Sequence, residues 1–299
     1  MILSSGRGPD ALLRGIRNSE PGRMQTTSTV FHIPHSSVHI PDHVRDQYVI
    51  TAAALELELI LMTDRYTDEL FDVRQEGVAR IVYPVSRLVV DPERFRDDVD
   101  EPMAERGMGA VYFRTARGEA LRRLLQPDEG ELLLERYYDP HHAALTRIVT
   151  DSLNNAPNCL IVDGHSFPSM PLPCDRNQTA PRPDICIGTD PFHTPSKLVD
   201  LAEKLFLSRG WTVGIDWPYT GTLVPVAFYH KVVRVEAIMV EINRRLYMNE
   251  VTGEKLPGFD AFRGRFQRCL EKIVRGEKDD RWRDKALYSQ SAIAEDGSK

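Results

Sequence analysis

The stretch VFHIPHSSVHIPDHV, residues 30–44, opens as an apolar β-branched run and breaks at Pro34-His35-Ser36-Ser37. A strand that buries its apolar residues and then delivers a histidine at its end is one way an α/β protein builds a site, because loops converge at the carboxyl edge of such sheets. The same hand-over recurs twice. CLIVDGHSF (159–167) leads into His165, and VEAIMVEINRRLYM (235–248) reaches Glu241 late in its apolar run.

Working outward, six short apolar runs rich in β-branched residues read as strands: 28–33, 78–85, 158–164, 184–188, 211–215 and 235–242. Between several of them lie segments of helical periodicity, at 51–73, 115–125, 128–153 and 196–209, with a further helix at about 258–275. Strands alternating with helices predict an α/β fold, a mostly parallel or mixed central sheet with helices on both faces. The simplest parse is a single catalytic domain over 28–278. Residues 1–27 read as a disordered leader, with Met24 an alternative start, and 279–299 as a flexible tail.

The chain has 299 residues, 41% of them hydrophobic and 27% charged, with a net charge of -6. No general basic field exists to hold nucleic acid or an anionic membrane, so an important arginine acts locally. No apolar run approaches the roughly 20 residues of a membrane helix, and the start lacks a secretory apolar segment. Four scattered cysteines, Cys159, Cys174, Cys186 and Cys269, read as buried thiols of a reducing compartment, which places the protein in the cytoplasm. Oligomeric state stays open.

Counted as one helix, 51–73 carries an apolar stripe of Leu55, Leu59, Met62, Tyr66 and Leu70. A second stripe, Leu57, Ile60, Leu61 and Phe71, has Asp64 and Asp68 in its middle. Buried carboxylates demand a cation or donors. His35, His165 and Asp64 would offer N, N and O donors to one divalent ion, with Asp68 the alternative carboxylate. The ordinary readings are hydrogen-bonded strand-end histidines and a capping aspartate. Glu241 reads as a general base or as the partner of Arg244 or Arg245. Arg87 and Arg94 are candidates to clamp an acidic group, whereas Arg96 reads as a solvated charge. In YYDPHHAAL, His142 joins the substrate-binding candidates beside a capping or packing role. His32, His39, His43, His193 and His230 stay unassigned.

Taken in order, PHSS, D-x-x-T-D-E-L, SRLVVDPER, YYDPHHAAL, DGHSF, PDICIG, PY-x-G and EINRRLYM resemble the N-formylglutamate amidohydrolase family, from about residue 30 to about residue 275. The resemblance implies a zinc-peptidase-like (phosphorylase/hydrolase-like) fold and metal-dependent hydrolysis of an amide on an acidic amino acid. It implies one Zn2+, or another divalent ion, on His35, Asp64 and His165, and Glu241 as the base. It implies Arg87 and Arg94 at the substrate carboxylate, with Arg244 the candidate oxyanion donor. The substrate expected is a small acidic N-acyl amino acid, with no nucleic acid or membrane partner. Two positions depart from the family pattern: Ser37 stands where glycine is usual, and Glu93 where asparagine is usual. Glu93 is expected to weaken Arg94 by adding a negative charge beside it. Val38 stands where related zinc peptidases carry a ligating glutamate.

Three alternatives accompany this reading. VDGHS after a strand suggests a binuclear ureohydrolase, which needs more bridging aspartates than Asp163 alone. A diverged relative would hydrolyse another amide or amidine. A non-catalytic binding domain would have lost a ligand or the base, and neither is lost.

Overall fold

A computed structural model describes residues 28–277; the expected leader at 1–27 and tail at 279–299 lie outside them. All six apolar runs form strands of one sheet: β1 (Thr29–Ile33), β2 (Val78–Val82), β3 (Cys159–Phe167), β4 (Ile185–Gly188), β5 (Val213–Ile215) and β6 (Val235–Asn243). The order is β2-β1-β3-β6-β4-β5. β1, β2, β3 and β6 are mutually parallel; β4 runs antiparallel to β6 and parallel to β5, so the sheet is mixed.

Alternation along each strand separates two cores. Phe31, Val162, Ile238 and Val240 pack with helices α2 (Thr67–Leu70), α5 (Ser196–Leu207) and α6 (Phe259–Arg275). Val30, Ile161, Val235 and Ala237 face Leu145 and Val149 of α4 (Asp139–Asn155) on the other side. A third cluster, including Ile40, Leu59, Met62, Tyr83 and Leu88, forms a wall beyond the strand ends. Gly164 in β3 is required by this packing: a Cβ there would stand 2.9 Å from the Phe71 ring.

The helices need two corrections. The expected helix 51–73 ends as α1 (Ala52–Met62), resumes only at α2, and passes between them through Tyr66 in the left-handed region (φ 68). Tertiary bonds break it: the Asp64 amide donates to His35 O, and Arg244 Nη1 to the Leu61 carbonyl. Asp64 and Asp68 therefore do not share a helical stripe, and Leu57 is exposed. Segment 115–125 is not helical; Arg114 bridges Ala120 around Gly118 at φ +80, and Tyr48 bridges Arg122. Segment 128–153 is helical throughout, as α3 (Pro127–Leu133), a π turn at Leu134–Tyr138 and α4. Pro140 has no N–H for the carbonyl four residues back, and the ladder widens just before it.

Among the described residues no helix is long and apolar enough to cross a membrane. The four cysteines are thiols, with no disulfide between them.

Candidate functional site

On the face of the sheet toward α4, apolar residues at the amino ends of the strands give way to polar ones at the carboxyl ends. His32 is in register with Asp163, and two residues on, His165 is in register with Glu241. Parallel register puts each pair side by side on the same face. His32, His35, Asp64, Asp163, His165 and Glu241 are all at most 8% exposed.

Asp64 is the meeting point. His165 Nδ1 lies 3.2 Å and His35 Nδ1 3.6 Å from Asp64 Oδ2, while Arg244 Nη2 donates to Oδ1 at 2.9 Å. Burial alone would raise Asp64; the His165 and His35 rings and the charge of Arg244 hold it well below the usual carboxylate range. Burial would lower His165, yet the charges of Glu93 and Asp163 keep its pKa well above the usual histidine value. The far edge of each ring is anchored. His35 Nε2 sits 2.8 Å from Asp91 Oδ1, and His165 Nε2 3.1 Å from Asp163 Oδ1 and 3.2 Å from Glu93 Oε2.

These contacts fit a cation. Donors about 2.1 Å from a tetrahedral ion stand about 3.4 Å from each other, close to the spacing of the two Nδ1 atoms from Asp64 Oδ2. His35 Nδ1 is buried and has no hydrogen-bond partner, and the same is true of Glu93 Oε1 and Glu241 Oε2. Buried atoms without a hydrogen bond occur elsewhere too, as at Ser152 Oγ and Arg122 Nη1, but these three belong to residues that line one cavity. Carboxylates behind the opposite nitrogens are the usual support for metal-binding histidines. The compact donor groups among the described residues are His35, Glu93 and His165, and His32, Glu93 and Asp163; neither contains Asp64, and Glu93 meets His165 at Nε2, on the ring edge away from Asp64.

A cavity of about 520 Å³ opens onto this cluster, lined by His35, Asp64, His165, Glu241 and Arg244, with Arg87 and Arg94 among its further walls. Burial first, then the negative charges of Asp64 and Glu93, push Glu241 up to about 8 against the opposing charges of His165 and Arg244. Arg244 gives Nε to Ser166 Oγ at 3.2 Å as well as reaching Leu61 O and Asp64. Arg87 is occupied by Asp91 Oδ2 through Nε (3.1 Å) and Nη2 (2.7 Å). Arg94 comes only within 3.8 Å of that oxygen, and its Nε has no hydrogen-bond partner.

Not every candidate reaches the cavity. His142 turns away from it: its Nε2 is 2.8 Å from Pro92 O and its ring stacks on Tyr138. Asp68 lies outside, its carbonyl accepting from Arg80. Arg96 is an exposed partner of Glu131 and Asp139. Ser37 Oγ ties the loop to Pro84 O, and Val38 is exposed. Several inner residues escape a reading of the sequence. Asp91 gathers His35, Arg87, Tyr112 and the Glu93 amide. His32 links Asp163 at 2.8 Å to His141 at 2.9 Å. Glu93 turns inward to the histidines instead of pairing with Arg94. The DPER sequence places Asp91 and Glu93 two residues apart, the one local hint of this.

Fold and site together define an α/β protein with a buried histidine–carboxylate centre at the strand ends, set in a cavity sized for a small molecule. Residues 27–248 match the N-formylglutamate amidohydrolase family model, and the chain belongs to that family. It is therefore an amidohydrolase by descent. A crystal structure of N-formylglutamate amidohydrolase from Ralstonia eutropha JMP134 is similar at 24% identity, TM-score 0.73, covering 84% of this chain and 94% of the other. A gene product of Agrobacterium tumefaciens is similar at 17% identity, TM-score 0.57, covering 84% and 92%. Both likenesses concern the fold. No curated protein matches.

Proposed function

We propose that the chain cleaves the N-formyl or N-acyl amide of an acidic amino acid, releasing the amino acid and a small acid. The observation that carries this reading is Glu241 in register beside His165, in one cavity with His35, Asp64 and Arg94. His35, Asp64 and His165 would hold one divalent ion, with zinc suited to their N, N, O donors. Bound there, such an ion supplies a Lewis acid and a water of lowered pKa.

The chain's own residues do the rest. Asp91 and Asp163 hold the far nitrogens of His35 and His165, so both rings keep Nδ1 turned inward. Arg244 fixes Asp64, and an N–H that its bonds to Ser166, Leu61 and Asp64 leave over would meet the developing oxyanion. Glu241, buried and titrating near neutrality, takes the proton of the attacking water and returns it to the leaving nitrogen. Arg94 meets a substrate carboxylate. Cysteines held as thiols accord with a reducing, cytoplasmic setting.

The test is formate release from N-formyl-L-glutamate, with metal content measured before and after chelation. About one ion per chain, with release lost on chelation and restored by zinc, is the expected result. Release that survives complete removal of the ion sinks the metal assignment. Failure on N-formyl and N-acetyl derivatives of both glutamate and aspartate sinks the substrate class.

A further inference from the structure

The proposed substrate, an N-acylated acidic amino acid, carries two carboxylates, and the roles of two arginines in the cavity rest on that proposal. The cavity has four arginines in its walls: Arg87, Arg94, Arg176 and Arg244. Two already carry bonds inside the protein that occupy them against a substrate carboxylate. Arg87 is doubly bonded to Asp91, and Arg244 is spread over Asp64, Ser166 and Leu61. Arg94 keeps an unpartnered Nε close to Asp91, the residue behind His35. Arg176, between β3 and β4, has no hydrogen-bond or ion-pair partner among the described residues.

The segment around Arg176 is anchored on both sides of it. Arg182, only 3% exposed, gives Nη2 to Asp175 Oδ2 at 2.7 Å and to Asn177 O at 3.1 Å. Asp175 also accepts from the Leu172 amide and from Tyr219, so its charge is already answered from within. Gln178 closes the turn through Leu172 O and Asp175 O. The residues flanking Arg176 are thus fixed, while its own guanidinium is exposed at the cavity wall.

We infer that Arg176 recognises the side-chain carboxylate of the substrate, and that Arg94 holds the α-carboxylate. The α-carboxylate adjoins the carbon bearing the scissile nitrogen and must lie near the His35–His165 centre, where Arg94 is. The side-chain carboxylate extends away from that centre toward the exposed arginine. A planar guanidinium can meet it with two parallel hydrogen bonds.

The experiment compares kcat/KM for N-formyl-L-glutamate and for N-formyl-L-glutamine, which is similar in shape and lacks the distal charge. The parent enzyme prefers the glutamate compound. In Arg176→Ala the preference falls about tenfold, at the low end for a charged hydrogen bond because the site is wet, and mainly through KM. Arg176→Lys recovers part of it, and thermal melting shows that both variants fold. An unchanged preference overturns the assignment. If the parent hydrolyses neither compound, the substrate reading falls separately, and Arg176 is judged by calorimetry of glutarate against glutaramate on the metal-loaded protein. A glutarate preference that Arg176→Ala abolishes supports the assignment; no such preference in the parent, or one the variant keeps, overturns it.

Discussion

At the amino end of β6, His193 and His230 sit with Asp190; at the carboxyl ends of β1 and β3, His35 and His165 sit with Asp64. The first cluster is complete. His193 Nδ1 lies 2.7 Å from Val235 O, and its Nε2 accepts the His230 amide at 2.9 Å, which leaves Nδ1 as the donor to that carbonyl. His230 Nε2 meets Asp190 at 2.9 Å, and Asp190 also takes the amides of Phe192 and His193. The second cluster leaves His35 Nδ1, Glu93 Oε1 and Glu241 Oε2 buried without a hydrogen-bond partner. Histidine beside aspartate is thus no mark of a reactive site. What sets the second cluster apart is buried polar atoms without a hydrogen bond on residues that line one cavity.

That contrast can be broken most sharply at Glu241. With the base removed and its shape kept, Glu241→Gln lowers kcat about 10²- to 10⁴-fold, and steady-state formate release checks it. The same variant has a second readout in metal-free protein. Burial holds a proton on Glu241 up to about 8, whereas the unfolded chain releases it near 4.5. The proton therefore favours the folded state fully below about pH 4.5 and progressively less as pH rises to about 8. The slope is at most about 1.4 kcal/mol per pH unit. Urea denaturation between pH 5 and 8 detects it, and an identical slope in Glu241→Gln rules it out.

A smaller effect comes from behind the metal donors. Asp91→Asn leaves His35 in place but weakens its anchor, and metal affinity falls about 10- to 100-fold in a chelator-competition titration. The smallest belongs to the complete cluster. His230→Asn, a residue that tolerates the φ of 51° there, costs no more than about 1 kcal/mol. Formate release stays within about twofold of the parent. A large activity loss there would erase the distinction between the two ends.

Much of this was legible in the chain. Each strand announced itself as a short β-branched run, because strands buried on both faces carry near-continuous apolar sequence. His35, His165 and Glu241 were legible because each follows or ends such a run. Periodicity does not place Asp64: its expected helical stripe is interrupted by bonds from residues 35 and 244, partners that periodicity does not contain. His32 and Asp163 become neighbours only through the pairing of β1 with β3, which no local pattern specifies. Glu93 adjoins Arg94 in sequence, while the turn at Asp91 sends it to His165. Local chemistry is written in the sequence; cross-strand adjacency is written in the topology.

The bond from the Asp64 amide to His35 O, at 2.9 Å, joins the two ends of the excursion that begins after β1 and closes just beyond α1. Part of the cavity wall, including Leu61 and Met62, belongs to that excursion. Because its ends are clasped to each other, insertions and deletions along its exposed outer course can reshape the pocket without separating His35 from Asp64. A lineage, or an engineer, can therefore change what enters this site by altering loop length while the chemistry stays where it is.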